Sequence, residues 1–543
     1  MCKLERYGNC DEETKDQEYC IFHKPNKSEE EAREFYEKFL KKFKPKKEKI
    51  WDKFERERLV FEETADYRGY AFPEIPKGVD FSFAHSVFKE SARFDRATFE
   101  GDAIFVWATF EGDARFDEAT FKGNVGFIRA TFERVARFVG ATFEGVALFN
   151  GVTFKGKAQF NGDTFKGDAW FEDATFKGKA QFAGATFEGG ARFEDTTFKG
   201  DAWFIRATFE GDAWFKGVTF EGDAIFVWAT FEGDASFLAT FKEEAIFEEA
   251  TFKGEATFSR AKFKGNVGFI RATFERVARF VGATFEGNAS FGRVTFKGEA
   301  RFEGATFEGV ADFREKKEDF EYKFYGELDF SNTEFRKGVD IDIPSEWFKL
   351  PSAEAEACRV QRISYEREGK KDDADRMFAR ERRALRKAEV EEAKANVKKV
   401  KEELKRLIAS SPRKVERIKA ELKAWFNLIK VTSNYLLVKG RSSLEFFIAD
   451  LTCEYGTNWK RPVISWIFLV FFIFPLLYFI LGGITKVSSP LDYLYFSIVT
   501  ATTLGYGDLQ PVGWCRLIAS TEAIFGTFMW AVFLVVFARK YMR

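Results

Sequence analysis

Phenylalanine recurs through the middle of the chain at alternating spacings of five and six residues, from Phe83 to Phe313. Each unit of eleven, such as Ala-Thr-Phe-Glu-Gly-Asp-Ala-Arg-Phe-Asp-Glu at 108–118, has a small residue two positions before each phenylalanine. A right-handed coiled coil also has a period of eleven, but glycine in nearly every unit and threonine before phenylalanine disfavour a helix. The pattern therefore predicts a right-handed β-solenoid, in which phenylalanines and small residues point inward and stack from coil to coil.

The small-x-Phe rhythm of residues 79–343 resembles that of pentapeptide-repeat proteins. The resemblance implies a four-sided (quadrilateral) β-helix over about half of the chain. One extra residue in each eleven departs from a strict period of five, so we expect each coil to contain two units of eleven. About 11 such coils would extend roughly 50 Å at the spacing of adjacent strands.

The predicted solenoid has irregularities and a patterned outer surface. One residue is missing between Phe237 and Phe241, and the charged stretch 314–323 is expected to bulge outward. In some units the outward residue is large and apolar, as at Ile104 and Trp170. Such a row indicates a contact surface for an unidentified cytoplasmic partner. Drift among duplicated copies of the repeat is the alternative explanation.

Residues 1–27 carry a candidate metal site. Cys2, Cys10, Cys20 and His23 are spaced C-x7-C-x9-C-x2-H, and His23 is one of only two histidines in the chain. Three thiolates and one imidazole form a closed tetrahedral zinc site, which leaves no coordination position for catalysis. We therefore predict a structural Zn²⁺ that folds this short segment. The alternative is a set of reduced surface cysteines without a metal.

Two charged helical regions flank the solenoid. Residues 28–78 begin with a Ser28–Glu31 capping box, which predicts a helix that extends to about Phe61 with a break at Pro45. Residues 344–460 predict a helical connector of three helices, in which the first two are separated at 369–372 and the third, amphipathic, runs toward Leu428. A solvated spacer is the simpler interpretation of the connector, and capping of the solenoid or transmission of motion is the other.

Residues 461–543, at the end of the chain, have the hydropathy of a membrane domain. Val463 to about Gly482 and about Arg516 to Ala538 are long enough to span, whereas Leu491 to Thr502 is too short and predicts a re-entrant helix. Basic residues precede the first span and end the second span, so both groups lie on the same side of the membrane. By the positive-inside rule this side is cytoplasmic, which predicts cytoplasmic N- and C-termini in the cell membrane. These residues are Lys460, Arg461, Arg539, Lys540 and Arg543.

A Thr-x-Gly-Tyr-Gly-Asp sequence directly follows the short helix. Two glycines supply backbone freedom for successive carbonyls to line one axis; a tight turn is the simpler alternative. In the order span, short helix, motif and span, this segment resembles two-transmembrane potassium channels. The resemblance implies a homotetramer with K⁺ as permeant ion. It assigns the selectivity filter to Thr503, Leu504, Gly505, Tyr506 and Gly507, with Asp508 at its outer mouth.

Two residues of the second predicted span stand out. Glu522 is an acid inside a membrane helix, which is costly and usually functional, so we expect it to support the filter or tune ion occupancy. A hydrogen bond to a neighbouring helix is the alternative. Gly526 lies in the middle of the same span, where inner helices of such channels often bend, and is a candidate gating hinge. Close helix packing would explain the same glycine.

The composition adds limits. With 85 basic and 86 acidic residues in 543, the net charge of −1 gives no expectation of nucleic-acid binding. Of the six cysteines, three lie at the extreme N-terminus and three lie far apart, which is no disulfide framework. We find no catalytic constellation, so we expect no enzyme. The sequence thus predicts a multidomain K⁺ channel with a solenoid that tethers, senses or regulates. A membrane-anchored scaffold with a non-conducting pore is the alternative.

Overall fold

The computed structural model describes residues 2–50, 56–314, 323–410 and 414–541. The chain divides into two compact units, Met1–Ala353 and Glu354–Arg543. The first contains the solenoid and the second is helical. We describe each unit by itself.

The solenoid has four sides, each a ladder of two-residue parallel strands. Sequence-adjacent strands lie on successive sides, and a strand pairs with the equivalent strand two repeat units later, as Thr131 and Phe132 pair with Thr153 and Phe154. The quadrilateral coil of two eleven-residue units is therefore confirmed. The strands of the four sides run from Val87–Phe88 to Glu334–Phe335, from Ala65–Asp66 to Val339–Asp340, from Ala71–Phe72 to Thr295–Phe296, and from Ala103–Ile104 to Leu328–Asp329.

Stacked phenylalanine rings fill the centre of the solenoid. Phe110 and Phe132 of adjacent coils have ring centroids 4.7 Å apart and an interplanar angle of 1°. Within the core, rings from different sides meet edge to face, as Phe149 and Phe160 do at 5.5 Å and 87°. Parallel offset stacks along the axis and T-shaped contacts across it are the two favourable aromatic geometries. The recurrent phenylalanine therefore specifies both the coil and the stacking of coils.

The glycine of the Glu-Gly or Lys-Gly step lies where the backbones of neighbouring coils approach closely. A Cβ on Gly156 would lie 2.2 Å from the carbonyl oxygen of Arg134 in the preceding coil. The left-handed corner is at another position of the unit, occupied for example by Glu118 (φ 54°), Arg129 (φ 55°) and Gly140 (φ 72°). Glycine is therefore the usual residue where the backbones touch, although Arg134 itself occupies this position in its own unit, and the corner accepts other residues as well.

The missing residue predicted before Phe241 shortens one corner without disturbing the ladder. Phe220 still pairs with Phe241 and stacks on it at 4.9 Å, so this coil is shorter than its neighbours by that single residue. Most of the charged stretch 314–323, predicted to bulge, lies outside the described residues. Beyond it, Phe324 bridges Phe296 on one side and Phe348 on the other, so the stack continues to Phe348 and past the predicted boundary at residue 343.

The N-terminal prediction was wrong in one respect. Helix α1, Glu29–Phe43, begins at the predicted capping box but does not continue to Phe61. Lys44 adopts a left-handed conformation (φ 40°) ahead of Pro45, and two antiparallel strands follow, β1 (Lys46–Ile50) and β2 (Arg56–Phe61). Val60 and Phe61 of β2 pair in parallel with Val87–Phe88, so the solenoid ladder begins at residue 60 and not at 79.

The second unit begins with three helices. They are α2 (Pro351–Arg367), which starts in the first unit, α3 (Lys371–Ser410) and α4 (Lys414–Glu445), and the break at 369–372 is where the sequence predicted it. Helix α4 extends well past the predicted end near Leu428 and packs along α3 as an antiparallel hairpin. A π-helical segment, Phe446–Leu451, and a 3₁₀ turn, Glu454–Gly456, follow it.

The hydrophobic end of the chain forms four further helices. Helices α5 (Lys460–Phe468) and α6 (Phe474–Leu481) are joined by the π-helical segment Leu469–Ile473 into one span of 22 residues. Helix α7, Pro490–Ala501, is short, and α8, Cys515–Tyr541, is a second span of 27 residues. The two long helices are apolar and long enough to cross a membrane.

Candidate pore and metal centre

Helix α7 is positioned to present its C-terminal end to the candidate filter. Ser489 caps its N-terminus in a capping box with Asp492, and Pro490 occupies the first turn. The end of the helix leads directly into the motif, where Thr503 N–H donates to the carbonyl of Thr500 (3.1 Å) and Leu504 N–H to Val499 (3.0 Å). The carbonyl end of a helix carries partial negative charge, which favours a cation nearby.

The candidate filter has an alternating backbone. Thr503 (φ 58°), Gly505 (φ 57°) and Gly507 (φ 78°) are left-handed, whereas Leu504 and Tyr506 are not. Glycine adopts this conformation at little cost, which explains two of the three positions. The side chains of Leu504 and Tyr506 are exposed in the single chain. The structure brings all five predicted filter residues into one continuous loop.

The loop after the filter is tied to the segment that follows the first span. Thr485 N–H donates to the carbonyl of Gln510 (2.9 Å), and Ile484 forms a β-bridge with Pro511. The chain that follows the motif is therefore held by the segment that follows the first span.

Glu522 joins three helices behind the candidate filter. Its side chain is fully buried and accepts a hydrogen bond from the Tyr478 hydroxyl of α6 (2.5 Å). Its second oxygen contacts the Ser497 hydroxyl of α7, and Ser497 also donates to the carbonyl of Val470 (2.8 Å). Because serine has one hydroxyl hydrogen, both Ser497 contacts are satisfied together when the Glu522 carboxyl donates to it.

Sequence reasoning identified Glu522 but not Tyr478 or Ser497. Their signal was present, since both are polar residues within apolar helices. The three residues lie on α6, α7 and α8, and the packing of these helices brings them together. Their separation in the sequence therefore does not predict the contact.

Gly526 lies within uninterrupted helix α8, where the structure provides a packing reason for glycine. A Cβ at this position would lie 2.2 Å from the carbonyl oxygen of Ala501, the last residue of α7. The inner helix thus touches the backbone directly before the candidate filter. Its role as a gating hinge stays a prediction.

The predicted metal ligands converge in the first unit. The ligand atoms of Cys2, Cys10, Cys20 and His23 all lie within 4.8 Å of one another. His23 Nδ1 is 3.6 Å from the sulfurs of Cys2 and Cys10 and 2.9 Å from that of Cys20. Tetrahedral Zn²⁺ with Zn–S of ~2.3 Å holds its ligand atoms roughly 3.5 to 3.8 Å apart. The two 3.6 Å separations match this range and the 2.9 Å separation is shorter, while three thiols and one imidazole are a donor set that zinc binds.

The surroundings of the cluster prepare His23 to act as a ligand. Burial lowers the pKa of His23 to about 4, which keeps the imidazole neutral. Its Nε2 lies 3.3 Å from the carbonyl of Arg68, a partner that leaves the Nδ1 lone pair directed to the sulfurs. The cluster also packs on the solenoid, because Phe22 stacks on Tyr70 at 4.8 Å. The segment from Cys2 to His23 is therefore part of the N-terminal cap of the first coils.

Comparison with known families covers both parts of the chain. A family model described as pentapeptide repeats (9 copies) matches residues 83–131, 127–175, 171–219, 204–238, 238–273 and 269–315. A model described as ion channel matches residues 464–543. No curated protein matches the chain. No solved structure matches it.

Proposed function

Because the chain joins a pentapeptide-repeat solenoid to an ion-channel domain, we propose that it is the subunit of a potassium-selective channel. The observation that carries this proposal is the alternating backbone of residues 503–507 directly after a short capped helix. Left-handed residues at every second position allow successive carbonyls to face one side. A row of carbonyl oxygens that replaces the hydration shell is the basis of K⁺ permeation.

A single chain supplies only one wall of such a pathway. The Leu504 and Tyr506 side chains are exposed in the isolated chain, and most of the surface of both long helices is uncovered as well. Four copies around one axis would close the carbonyl rings and cover part of these apolar surfaces. We therefore infer a homotetramer in the cell membrane, with both termini on the cytoplasmic side and the solenoid as a tethering, sensing or regulatory domain.

The Glu522 cluster supports this filter from behind. It connects the first span, the pore helix and the inner helix through side chains that contact no permeating ion. We assign Glu522 as a positioning residue through its contacts with Tyr478 and Ser497, and Asp508 through its place directly after Gly507 at the outer end of the loop. Ions move passively in this proposal, and no residue acts as a catalyst.

The N-terminal cluster would hold a structural Zn²⁺. Cys2, Cys10, Cys20 and His23 supply four ligands, which close the coordination sphere. The ion would cross-link the segment from Cys2 to His23 and hold it against Tyr70 of the first coil. Zinc here serves folding and takes no part in ion movement.

Ion flux from vesicles reconstituted with the full-length chain tests the function. We expect K⁺ efflux that Ba²⁺ blocks, with little Na⁺ flux under the same gradient. Gly505→Ala places a side chain on a left-handed residue and should abolish the K⁺ flux, whereas Gly513→Ala, left-handed (φ 58°) but outside the filter, should preserve it. Equal K⁺ and Na⁺ fluxes would reject selectivity. No flux from a correctly assembled protein would favour the non-conducting scaffold.

A further inference from the structure

Helix α4 carries an apolar stripe on the face turned away from its partner helix. Its half-buried residues recur at 424, 428, 431, 435, 438 and 442, which is the spacing of one helix face, and α4 packs on α3. On the opposite face, large apolar side chains are exposed, with Leu437 70% and Phe426 71% accessible. We call these residues the α4 stripe: Trp425, Phe426, Ile429, Leu436, Leu437 and Leu444.

A stripe of this size on a helix that is already packed requires an occupant. Exposed apolar surfaces beyond single scattered residues mark contacts with protein or membrane. Helix α4 buries its other face on α3, so the residues of the α4 stripe do not contribute to packing between the two helices. Two features of the chain distinguish between the possible occupants.

The first feature is charge. Residues 423–444 contain no acidic residue and four basic residues: Lys423, Lys430, Lys439 and Arg441. Among the described residues, none of the four forms an ion pair. Helix α3 differs, since its exposed surface mixes lysines with glutamates. A helix with one apolar face and uncompensated basic residues suits a surface of anionic lipid headgroups.

The second feature is continuity with the membrane domain. Directly after α4, the exposed side chains of Phe446, Phe447, Ile448 and Leu451 extend the apolar surface. The first span begins at Lys460. The acids of this connecting segment face the other way, since Asp450 pairs with Arg383 (2.8 Å) and Arg386 (3.2 Å) of α3. The apolar surface therefore continues toward the first span, while the acidic side chains of this segment form ion pairs with arginines of α3.

We propose that the α4 stripe docks on the bilayer surface and that α4 is an interfacial helix specific for anionic phospholipid. Trp425 and Phe426 insert at the boundary between headgroups and acyl chains, and the four basic residues contact lipid phosphates. Helix α3 covers the opposite face. The proposal is independent of ion selectivity, because it concerns a surface outside the pore.

The test uses the full-length protein in nanodiscs of phosphatidylglycerol or of phosphatidylcholine. Difference emission between the wild type and Trp425→Phe isolates the fluorescence of Trp425. In phosphatidylglycerol discs, we expect lipids brominated near the glycerol end of the acyl chain to quench this emission. Lipids brominated near the methyl end should quench it less, because an interfacial helix lies shallow. Absence of Trp425-dependent quenching by either lipid would overturn the proposal.

Charge variants test the lipid specificity. Replacing Lys423, Lys430, Lys439 and Arg441 with glutamine should cause loss of the quenching. A matched variant of α3 removes the same charge and should retain the quenching: Lys394→Gln, Lys398→Gln, Lys401→Gln and Lys405→Gln. If the first variant does not fold, the wild type in phosphatidylcholine supplies the comparison, with the same expected loss. Equal quenching in both lipids would reject anionic specificity.

A second copy of the chain is the competing occupant. If α4 stripes pair between subunits, Leu437→Cys should give disulfide-linked dimers under mild oxidant that the wild type does not give. That result would overturn the bilayer assignment. Leu437→Cys protein that forms no disulfide-linked dimer, together with Trp425 quenching, would support it.

Discussion

Asp163 is a buried carboxyl at a position of the repeat where alanine is usual. It precedes the Thr164–Phe165 strand, and the equivalent residues in the flanking coils are Ala141 and Ala185. Its Oδ1 accepts a hydrogen bond from Ala141 N–H (3.0 Å), and its Oδ2 has no partner among the described residues. Burial raises the pKa of Asp163 well above its ordinary value of 3.8.

We expect Asp163→Ala to stabilise the solenoid in a pH-dependent manner. The folded chain binds the proton more tightly than the unfolded chain, so wild-type stability falls as pH rises above about 4. The gain should therefore be larger at pH 8 than at pH 5, by roughly 1 to 3 kcal/mol. Calorimetric unfolding of the full-length protein at both pH values measures it.

Asp163→Asn is the matched control for charge. It keeps an acceptor for Ala141 N–H but cannot ionise, so its stability relative to the wild type should rise between pH 5 and pH 8 by the same amount as that of Asp163→Ala. A pH-independent gain in Asp163→Ala would contradict the assignment of the cost to ionisation. Thr196 shows the alternative solution at the equivalent position, since its hydroxyl donates to the carbonyl of Phe171 (2.5 Å).

Gly526 offers a second prediction at the scale of one residue. In Gly526→Ala the new Cβ cannot fit 2.2 Å from the Ala501 oxygen, so α7 and α8 must separate. We expect a loss of about 1 to 3 kcal/mol in pore-domain stability and reduced K⁺ flux. Flux assays and thermal stability of the assembled protein measure the two effects. Gly440→Ala on α4, with no atom within 4 Å of its Cβ, should leave both unchanged or improved. Wild-type K⁺ flux in Gly526→Ala would show that the close contact between Gly526 and Ala501 is not needed for conduction.

At the scale of elements, the N-terminal cap and the solenoid share one aromatic core. Phe39 of α1 contacts Tyr67 at 5.1 Å and Phe72 at 5.9 Å, and Phe61 of β2 stacks on Phe88 at 4.8 Å. The cap covers the first coil, whose stacked rings would otherwise face water. Terminal caps of this kind are required in stacked-repeat proteins.

Removal of zinc should loosen this cap and leave the pore intact. We expect one Zn²⁺ per chain, and its chelation should increase hydrogen exchange in residues 2–23 while K⁺ flux persists. His23→Ala should lower the bound zinc, whereas Cys358→Ser, a buried cysteine outside the cluster, should retain it. Metal analysis without zinc in the purified wild type would reject the site.

The elements that the sequence predicts well are those whose signal repeats or is local. Phenylalanine at every fifth or sixth position predicts the coil length, because each ring must meet its equivalent in the next coil. The end of α1 was misplaced, because β2 carries no repeat and becomes a strand by pairing with Val87–Phe88. The role of the repeated glycine was also hidden, since the approach of Gly156 to Arg134 is a contact between coils.

The candidate site follows the same division. Residues 503–507 are contiguous, so one motif predicts them together. The cysteines and His23 were identified by ligand chemistry and are brought together by the fold. The partners of Glu522 come from two other helices, and only their packing reveals that Tyr478 and Ser497 converge on it.

At the scale of the whole molecule, the solenoid should tolerate removal of one complete coil. Deletion of residues 166–187 joins Phe165 to Glu188 and returns every later strand to an equivalent partner. We expect a folded protein with wild-type K⁺ flux and a solenoid shorter by about 4.8 Å. Circular dichroism and small-angle scattering check it. Deletion of residues 166–181 removes no whole number of units and should misfold. Equal behaviour of the two deletions would contradict a fixed coil register.

The coil contains two near-identical halves, and this has a consequence for direction. Removal of a single eleven-residue unit would still place phenylalanine on phenylalanine and threonine on threonine, because opposite sides have the same chemistry. All later coils would, however, be rotated by half a turn about the axis. The number of units therefore sets the length of the solenoid and also the side of the solenoid from which the chain leaves it. Duplication of single units can lengthen the solenoid in half-turn steps. Each step rotates the segment that follows the solenoid by half a turn about the solenoid axis.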